Sequence, residues 1–316
     1  MIGTDVTKAA NLLSQGKLVA IPTETVYGLA ANGLNPEAIA EIYRVKNRPN
    51  FNPLILHVPH IEAAKKYVTH FPIEAEKLAH HFWPGSLSIL LPKSAIVPDI
   101  ITAGSSHVVL RIPNHPITLN LLNQIDFPLA APSANISNTV SPTFAKHVEE
   151  GFGNQIEYIL DGGNSTIGIE STIVSIENGN VQILREGGIS QELIAQKTGF
   201  NISSEPTKTI QTPGQLKKHY STQKPLYLVE SIIDFLKENP KKNCSVLYYE
   251  YHDFPSEHTY CLSENYNLSE IANRLFSTMR LADKDASDCI IIENIKQEGI
   301  GRAISDRLNR AKSNLE

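Results

Sequence analysis

The 316-residue chain is 41% hydrophobic and 19% charged, which is typical of globular proteins and long enough for two domains with cores of their own. Its formal charge of −5, with more acidic than basic side chains before residue 206, gives no general attraction to nucleic acid or anionic lipid. The three cysteines, Cys244, Cys261 and Cys289, are odd in number and lack C-x-x-C spacing, which argues against a disulfide framework and a zinc site.

The N-terminal segment has no basic region followed by an apolar one, and no apolar run approaches membrane-spanning length. We therefore expect a cytoplasmic protein without a membrane segment. The first predicted element is a short amphipathic helix over residues 4–15.

The segment from residue 18 to residue 58 predicts a strand, a helix and a second strand. The strands correspond to the apolar runs 18–21 and 53–56. Asn35-Pro36 predicts the start of the helix, because Asn is a good N-cap and Pro fixes φ at the first helical position. The helix should end near Asn47, because the proline two residues later forces the residue before it out of the α region.

Lys46 and Arg48 therefore lie at the end of a helix, beside a hydroxyl-rich turn that contains Thr23 and Thr25. Two cations held between structured elements are suited to binding phosphate. Basic residues at a helix C-terminus also complement the helix dipole, and the pair alone favours this simpler interpretation.

Further helices are predicted within residues 60–82, where the adjacent His80-His81 point to different parts of the surface and are interpreted as structural. A buried strand follows over 86–91. The segment 100–113 contains a strand that places Arg111 just before a proline. An arginine in such apolar surroundings needs an anion, which is either an internal carboxylate or a ligand.

A strand after residue 128 is predicted to end in a tight polar turn. Ala131 is small enough for a ligand to approach the backbone there, and Ser133 and Asn135 offer a hydroxyl and a carboxamide. Hydrogen bonding within the turn is the alternative role for both polar side chains. Ser141 is predicted to cap a helix starting at Pro142, whose exposed amides would form a second anion site.

The segment 163–168 has the glycine spacing of a phosphate-binding loop. Ile169-Glu170 stands where Lys and Ser/Thr are required, so the segment is not predicted to be a P-loop. A β-ribbon is predicted over 173–184 with its turn at Asn178-Gly179, and it ends at Arg185, which is either a surface charge or a ligand contact.

Residues 203–224 contain few apolar residues and several turn formers, which predicts a linker. Residues 225–316 alternate strand and helix and predict a small open α/β sheet without a catalytic constellation. Gly299-Ile300-Gly301 lacks a further glycine and is not interpreted as a dinucleotide site.

Four ordered segments resemble the YrdC-domain family of threonylcarbamoyl-AMP synthases, in its longer two-domain type. They are PTETVYGL at 22–29, KNRP at 46–49, NPL at 52–54 and SAN at 133–135. The similarity continues to about residue 205.

The resemblance returns in the linker at Pro213-Gly214 and His219-Tyr220, whereas Ser221-Thr222 departs from the family pattern. It implies an α/β fold in which a YrdC-like twisted mixed open sheet with flanking helices is followed by a smaller Rossmann-like α/β domain. The implied divisions are 1–205 for the catalytic domain, 206–224 for a linker closing over the site, and 225–316 for a C-terminal domain with a regulatory or closing role.

The implied activity is condensation of L-threonine, bicarbonate and ATP to threonylcarbamoyl-AMP and pyrophosphate. Mg²⁺ would accompany ATP, with no protein metal site and no tightly bound cofactor. Other proteins would transfer the product to adenosine 37 of tRNA. The implied catalytic residues are Lys46, Arg48, Ser133 and Asn135. The implied ATP contacts are Lys46, Arg48, Asn52, His107, Ser133, Ser141, Arg185 and Tyr220. The implied threonine contacts are Thr25, His57, Arg111, Ala131 and Ser171.

His107 stands where relatives usually have a small hydroxyl residue. For His57, a purely structural role at a strand end is equally compatible with its position. One alternative function is an RNA-binding module, which the acidic balance and the lack of basic–aromatic interleaving weaken. The expected activity itself does not require RNA binding. The other alternative is an O-carbamoyltransferase, whose usual acylphosphatase segment and zinc-finger cysteines are absent from the sequence.

Overall fold

Two β-sheets organise the computed structural model, which describes residues 1–177, 179–203, 219–250 and 252–313. The strands of the larger sheet are β1 (Ile2–Gly3), β2 (Val19–Ile21), β3 (Gly28–Asn32), β4 (Ile55–His57), β5 (Leu87–Pro92), β6 (His107–Arg111), β7 (Leu129–Ala130), β8 (Tyr158–Leu160), β9 (Thr172–Glu177), β10 (Asn180–Arg185) and β11 (Ile202–Ser203). They lie in the order β1-β8-β2-β3-β7-β4-β6-β5-β9-β10-β11.

Eight described helices flank this sheet. They are α1 (Val6–Ser14), α2 (Pro36–Lys46), α3 (Ile61–Lys65), α4 (Ile73–Phe82), α5 (Asp99–Thr102), α6 (Pro116–Asn123), α7 (Ala145–Phe152) and α8 (Gln191–Thr198). The pairing is mixed, since β4 runs parallel to β6 whereas β5 runs antiparallel to β6. This is the predicted mixed open sheet.

The second sheet has four parallel strands in the order β12-β15-β13-β14. Its elements are β12 (Leu226–Val229), α9 (Ile232–Glu238), β13 (Cys244–Tyr248), β14 (Thr259–Cys261), α10 (Leu268–Ala282), β15 (Cys289–Glu293) and α11 (Gly301–Ala311). A small open α/β sheet was predicted here, and the fold class is confirmed.

The core of the second sheet is shared with loops of the first. Val26, Val140 and Ile169 belong to the same buried cluster as Ile271 and Leu275 of α10. The two sheets are therefore joined by apolar packing, which is non-directional and roughly proportional to the area removed from water.

One predicted helix start is wrong. Pro142 does not begin a helix: its carbonyl accepts a hydrogen bond from the Tyr27 amide at 2.8 Å, and α7 begins only at Ala145. Ser141, instead of capping, is fully buried and donates its hydroxyl to Glu170 Oε1 at 2.7 Å. No second anion site of the predicted kind exists at this point of the chain.

Some predictions lie outside the described residues. These are Asn178 of the predicted turn and Pro213-Gly214 of the predicted linker, and the division of the chain at 205 and 224 stays a prediction. Within the described ranges, no helix has the length and apolarity needed to cross a membrane.

Candidate active site

A cavity opens between the larger sheet and residues 219–220, and encloses about 520 Å³ of space between protein atoms, its open mouth included. Its walls come from segments far apart in the chain. They are formed by Thr25, Val26, Arg48, Ile55, His57, Arg111, Ala131, Pro132, Ser133, Glu170, Ser171, Arg185, His219 and Tyr220. A concave site with converging polar groups is the usual form of a small-molecule site.

One wall is built where parallel strands end. His57 and Arg111 are register partners at the ends of β4 and β6, and the Ala131 amide bonds to the Ile55 carbonyl at 3.1 Å. Ligands of open α/β sheets bind at the carboxyl ends of strands. The sheet thus brings together three of the residues implied for threonine, and Thr25 and Ser171 line the same cavity.

Arg111 is buried and ion-paired. Its Nη2 lies 2.7 Å from Glu24 Oε1, and its Nε donates to the Gly85 carbonyl at 3.2 Å. Of the two anions that the sequence left open for Arg111, the internal carboxylate is therefore present, and Glu24 is not among the described lining residues of the cavity. Glu24 was not predicted to take part, although it lies inside the PTETVYGL segment.

His57 stays neutral in this wall. Burial, reinforced by the nearby Arg111 cation, lowers the pKa of His57 to about 3. Its Nδ1 has no hydrogen-bond partner among the described residues.

The end of α2 positions the basic pair. Asn47 takes a left-handed conformation with φ 50°, which ends the helix and turns Lys46 and Arg48 in different directions. The Lys46 ammonium donates to the carbonyls of Ser133, at 2.5 Å, and Asn135. Half-buried Arg48 lines the cavity and donates to the Asn52 and Pro53 carbonyls.

Neither cation has a carboxylate partner within the described ranges of the chain. Burial lowers the pKa of Arg48 to about 10, and burial together with Arg48 lowers the pKa of Lys46 well below its ordinary value. Such shifts mean that the surroundings disfavour the charged forms. An anion bound beside Arg48 would reverse the effect, so the arrangement is suited to phosphate.

The Ser133–Asn135 turn lies against Lys46. Asn135 donates its side-chain amide to the carbonyls of Ile136 and Thr139, at 2.8 and 2.9 Å, so the predicted turn bonding is present. Its Oδ1, although buried, has no hydrogen-bond partner within the described part of the chain. Ser133 lines the cavity directly.

Ser171 and Arg185 form a further hydrogen-bonded cluster in the cavity wall. Arg185 donates from Nε and Nη2 to the Ser171 carbonyl and from Nη2 to the Ser171 hydroxyl, at 2.9 to 3.0 Å. Ser88 also bonds to this hydroxyl at 2.8 Å. Burial lowers the pKa of Arg185 to about 10, so it is a buried cation in the cavity wall, not a surface charge.

Tyr220 lines the cavity. It has a positive φ of 62°, is 1% exposed, and stacks on Phe276 of α10 at 5.3 Å between ring centroids. The His219 amide bonds to the Arg310 carbonyl, and the Ser221 amide bonds to the Asn138 carbonyl. The described end of the predicted linker therefore touches both sheets.

Not every predicted residue reaches the cavity. His107 lies at the start of β6, four residues from Arg111, and lines a separate cavity together with His70 and Glu74. Asn52 is buried beside Arg48 and approaches it through its carbonyl. Ser141 is not among the described lining residues and donates its hydroxyl to Glu170, which is.

The structure adds residues that the sequence did not indicate. Glu170 lines the cavity, and its Oε2 lies 3.2 Å from Nε of Arg307, a fully buried side chain on α11. No local pattern marks this pair, since 137 positions separate the two residues.

Comparison with known proteins agrees with this geometry. A family model described as "Telomere recombination" matches residues 11–187, and one described as "Threonylcarbamoyl-AMP synthase, C-terminal domain" matches residues 182–313. The threonylcarbamoyl-AMP synthase of Pyrococcus abyssi is 38% identical, over 96% of this chain and 92% of its own. The chain belongs to the threonylcarbamoyl-AMP synthase family. The family implied by the motifs is thereby confirmed.

Other relatives fit this assignment. The Bacillus subtilis threonylcarbamoyl-AMP synthase is 36% identical over 97% of the chain and 92% of its own. The crystal structure of P. abyssi Sua5 complexed with L-threonine superposes with a TM-score of 0.88 at 38% identity, covering 97% of this chain and 93% of that one. Full-length HypF, in its phosphate- and nucleotide-bound form, matches 58% of this chain but only 29% of its own, with a TM-score of 0.53 at 26% identity.

Proposed function

We propose that this family member condenses L-threonine, bicarbonate and ATP to threonylcarbamoyl-AMP and pyrophosphate, as a nucleotidyltransferase. The observation that carries the proposal is the convergence of Arg48, Ser133, Arg111 and Ser171 on one cavity whose lining also includes Tyr220. The L-threonine named for the P. abyssi crystal structure supports the amino-acid substrate.

In the first step the uncharged amine of threonine attacks bicarbonate, which gives the carbamate and water. Arg111 would hold the threonine carboxylate, a task suited to a guanidinium fork. His57, Thr25, Ala131 and Ser171 would complete the pocket around the side chain. The role of the protein in this step is to position the reactants.

In the second step a carbamate oxygen attacks the α-phosphorus of ATP, and pyrophosphate leaves. Lys46, Arg48 and Arg185 would offset the phosphate charge, which is largest in the transition state. The nucleotide would be oriented directly by Ser133 and indirectly, through Glu170, by Ser141. The other residues that would orient it are Asn135, Asn52 and Tyr220. His107 has no part in this scheme, since it lies at another cavity.

Mg²⁺ would enter as part of the ATP substrate, held by phosphate oxygens. The one carboxylate of the described cavity wall, Glu170, is already engaged by Ser141 and Arg307. The described residues contain no group of three or more His, Cys, Asp or Glu arranged to hold a metal ion.

The product would supply other proteins that transfer the threonylcarbamoyl group to adenosine 37 of tRNA in the cytoplasm. The proposed chemistry needs no bound RNA. The remaining carbamoyltransferase alternative is disfavoured, because the chain spans only 29% of HypF.

The test is to incubate the purified protein with Mg·ATP, bicarbonate and labelled threonine, without RNA. We expect labelled threonylcarbamoyl-AMP and pyrophosphate in equal amounts, both dependent on bicarbonate. Pyrophosphate release without threonine, or activity that requires RNA, would contradict the proposal.

A further inference from the structure

Arg307 connects the second sheet to the candidate active site. Its side chain is completely buried, its Nε lies 3.2 Å from Glu170 Oε2, and its Nη1 donates to the Glu186 carbonyl at 2.6 Å. The guanidinium also lies 5.7 Å from the centre of the Tyr220 ring, within range of a cation–π contact. One side chain of α11 therefore contacts a cavity wall, the residue after Arg185, and Tyr220.

Glu170 poses an electrostatic problem in a nucleotide site. It is the one acidic side chain in the described lining of the cavity, and it is 8% exposed. A buried carboxylate without a cation would repel the triphosphate, because like charges interact strongly where water is excluded. Its partner cation is supplied by the opposite half of the protein.

The geometry points to Arg307 as a positioning residue: by pairing with Glu170 and supporting Tyr220, it lets the cavity accept the triphosphate of ATP. This inference rests on the proposed function. Arg307 itself does not line the cavity, so it acts through Glu170 and Tyr220. The second half of the protein thereby contributes a charge to the active site.

The charge state of Glu170 depends on its neighbours. Burial favours its protonated form, yet Arg307 on α11 and Arg185 on β10 keep the pKa of Glu170 below its ordinary value, with help from the Ser141 hydroxyl. His219 and Tyr220 face it from another part of the cavity lining, and burial lowers the pKa of His219 to about 4. Without Arg307, burial prevails and the pKa of Glu170 rises.

The experiment is calorimetric titration of ATP into full-length wild-type protein and variants at several pH values from about 6 to about 8, because a raised pKa makes the charge of Glu170 depend on pH. We expect Arg307→Gln to weaken ATP binding at least about tenfold, and more at higher pH, where Glu170 is charged. Adding Glu170→Gln to that variant should restore most of the affinity by removing the unpaired charge.

Three further variants separate this role from simple folding. Arg307→Lys keeps a cation but loses the guanidinium fork, so it should bind ATP more tightly than Arg307→Gln and less tightly than wild type. Glu170→Gln alone is the parent of the double variant, and adding Arg307→Gln to it should weaken ATP binding far less than the same substitution does in wild type. Arg302→Gln is the matched control: it removes an arginine on the same helix that pairs with Glu192 and Glu186, and should leave ATP affinity unchanged.

The outcomes are distinct. If Arg307→Gln binds ATP as well as wild type, or if the double variant binds as weakly as the single one, the inference is overturned. A wild-type protein that binds no ATP overturns both this inference and the proposed function. A wild-type protein that binds ATP with the expected variant pattern, yet forms no adenylate, overturns the proposed function alone.

Discussion

At the scale of single residues, three histidines have a pKa that burial lowers. Burial lowers the pKa of His57 to about 3, and of His147 and His219 to about 4. In the unfolded chain a histidine has a pKa of about 6.5. As the pH falls below that value, the unfolded state takes up protons that the folded state does not, so the free energy of unfolding decreases.

We therefore expect stability to fall between about pH 6.5 and about pH 4, with His57 contributing about one proton to the slope. His57→Gln should remove that contribution, which urea unfolding at several pH values measures. The same substitution at exposed His81 is the control. An unchanged slope in His57→Gln would show that His57 titrates alike in both states.

The basic pair makes a second prediction at this scale. Arg48→Met and Lys46→Met should each lower adenylate formation at least about a hundredfold, because removing a preorganised charge from a reacting phosphate has effects of that size. Arg44→Met on the same helix, exposed and paired only with Glu41 in the described structure, is the control and should retain activity. Circular dichroism checks the fold; unfolded variants would mean that the pair is scaffold.

Secondary-structure elements were predictable where local signals agreed. The start of α2 follows from its cap and proline, and the strand and helix elements predicted after residue 225 are present. β3 was not predicted, because Gly28–Asn32 is built of small residues with low strand propensity and is held by its neighbours β2 and β7. The helix predicted to start at Pro142 is absent because tertiary hydrogen bonds engage the Pro142 carbonyl and the hydroxyl of Ser141, the predicted cap.

The same contrast holds for the site. Arg48 and Ser133, which lie inside contiguous motifs, line one cavity. The Glu170–Arg307 pair did not follow from the sequence, because a contact between distant segments leaves no spacing to detect.

The end of α2 provides a test at the level of the element. Asn47→Ala should destabilise the protein by about 1 kcal/mol, because a left-handed φ of 50° is unfavourable for a residue with a Cβ and no local polar bonding. Asn47→Gly should be near neutral, since glycine adopts this conformation readily. Urea unfolding of the three proteins measures the difference; equal loss in both variants would exclude a backbone cause.

At the scale of the whole molecule, the two sheets are joined by apolar packing beside the site. Val26 and Ile169 of the first half share a core with α10, and Tyr220 stacks on Phe276 of that helix. The Tyr220 part of the cavity lining is thus supported from the second half. The integrity of the site depends on packing well outside the cavity.

Phe276→Ala tests this dependence. We expect it to cost about 3–5 kcal/mol and, in the protein that remains folded, to raise the KM for ATP by loosening Tyr220. Phe235→Ala is the matched control, since Phe235 packs in a different cluster of the second sheet, against Tyr227. It should destabilise the protein without changing the KM. Equal KM changes in both variants would point to a general loss of order.

The long separation of Glu170 and Arg307 has a consequence during translation. A ribosome adds about 5–20 residues per second, so the 137 positions between them take roughly 7–27 s to synthesise. Throughout that interval the nascent first half carries Glu170 without its cation. A polypeptide that ends before α11 contains every motif residue but lacks the cation that pairs with Glu170.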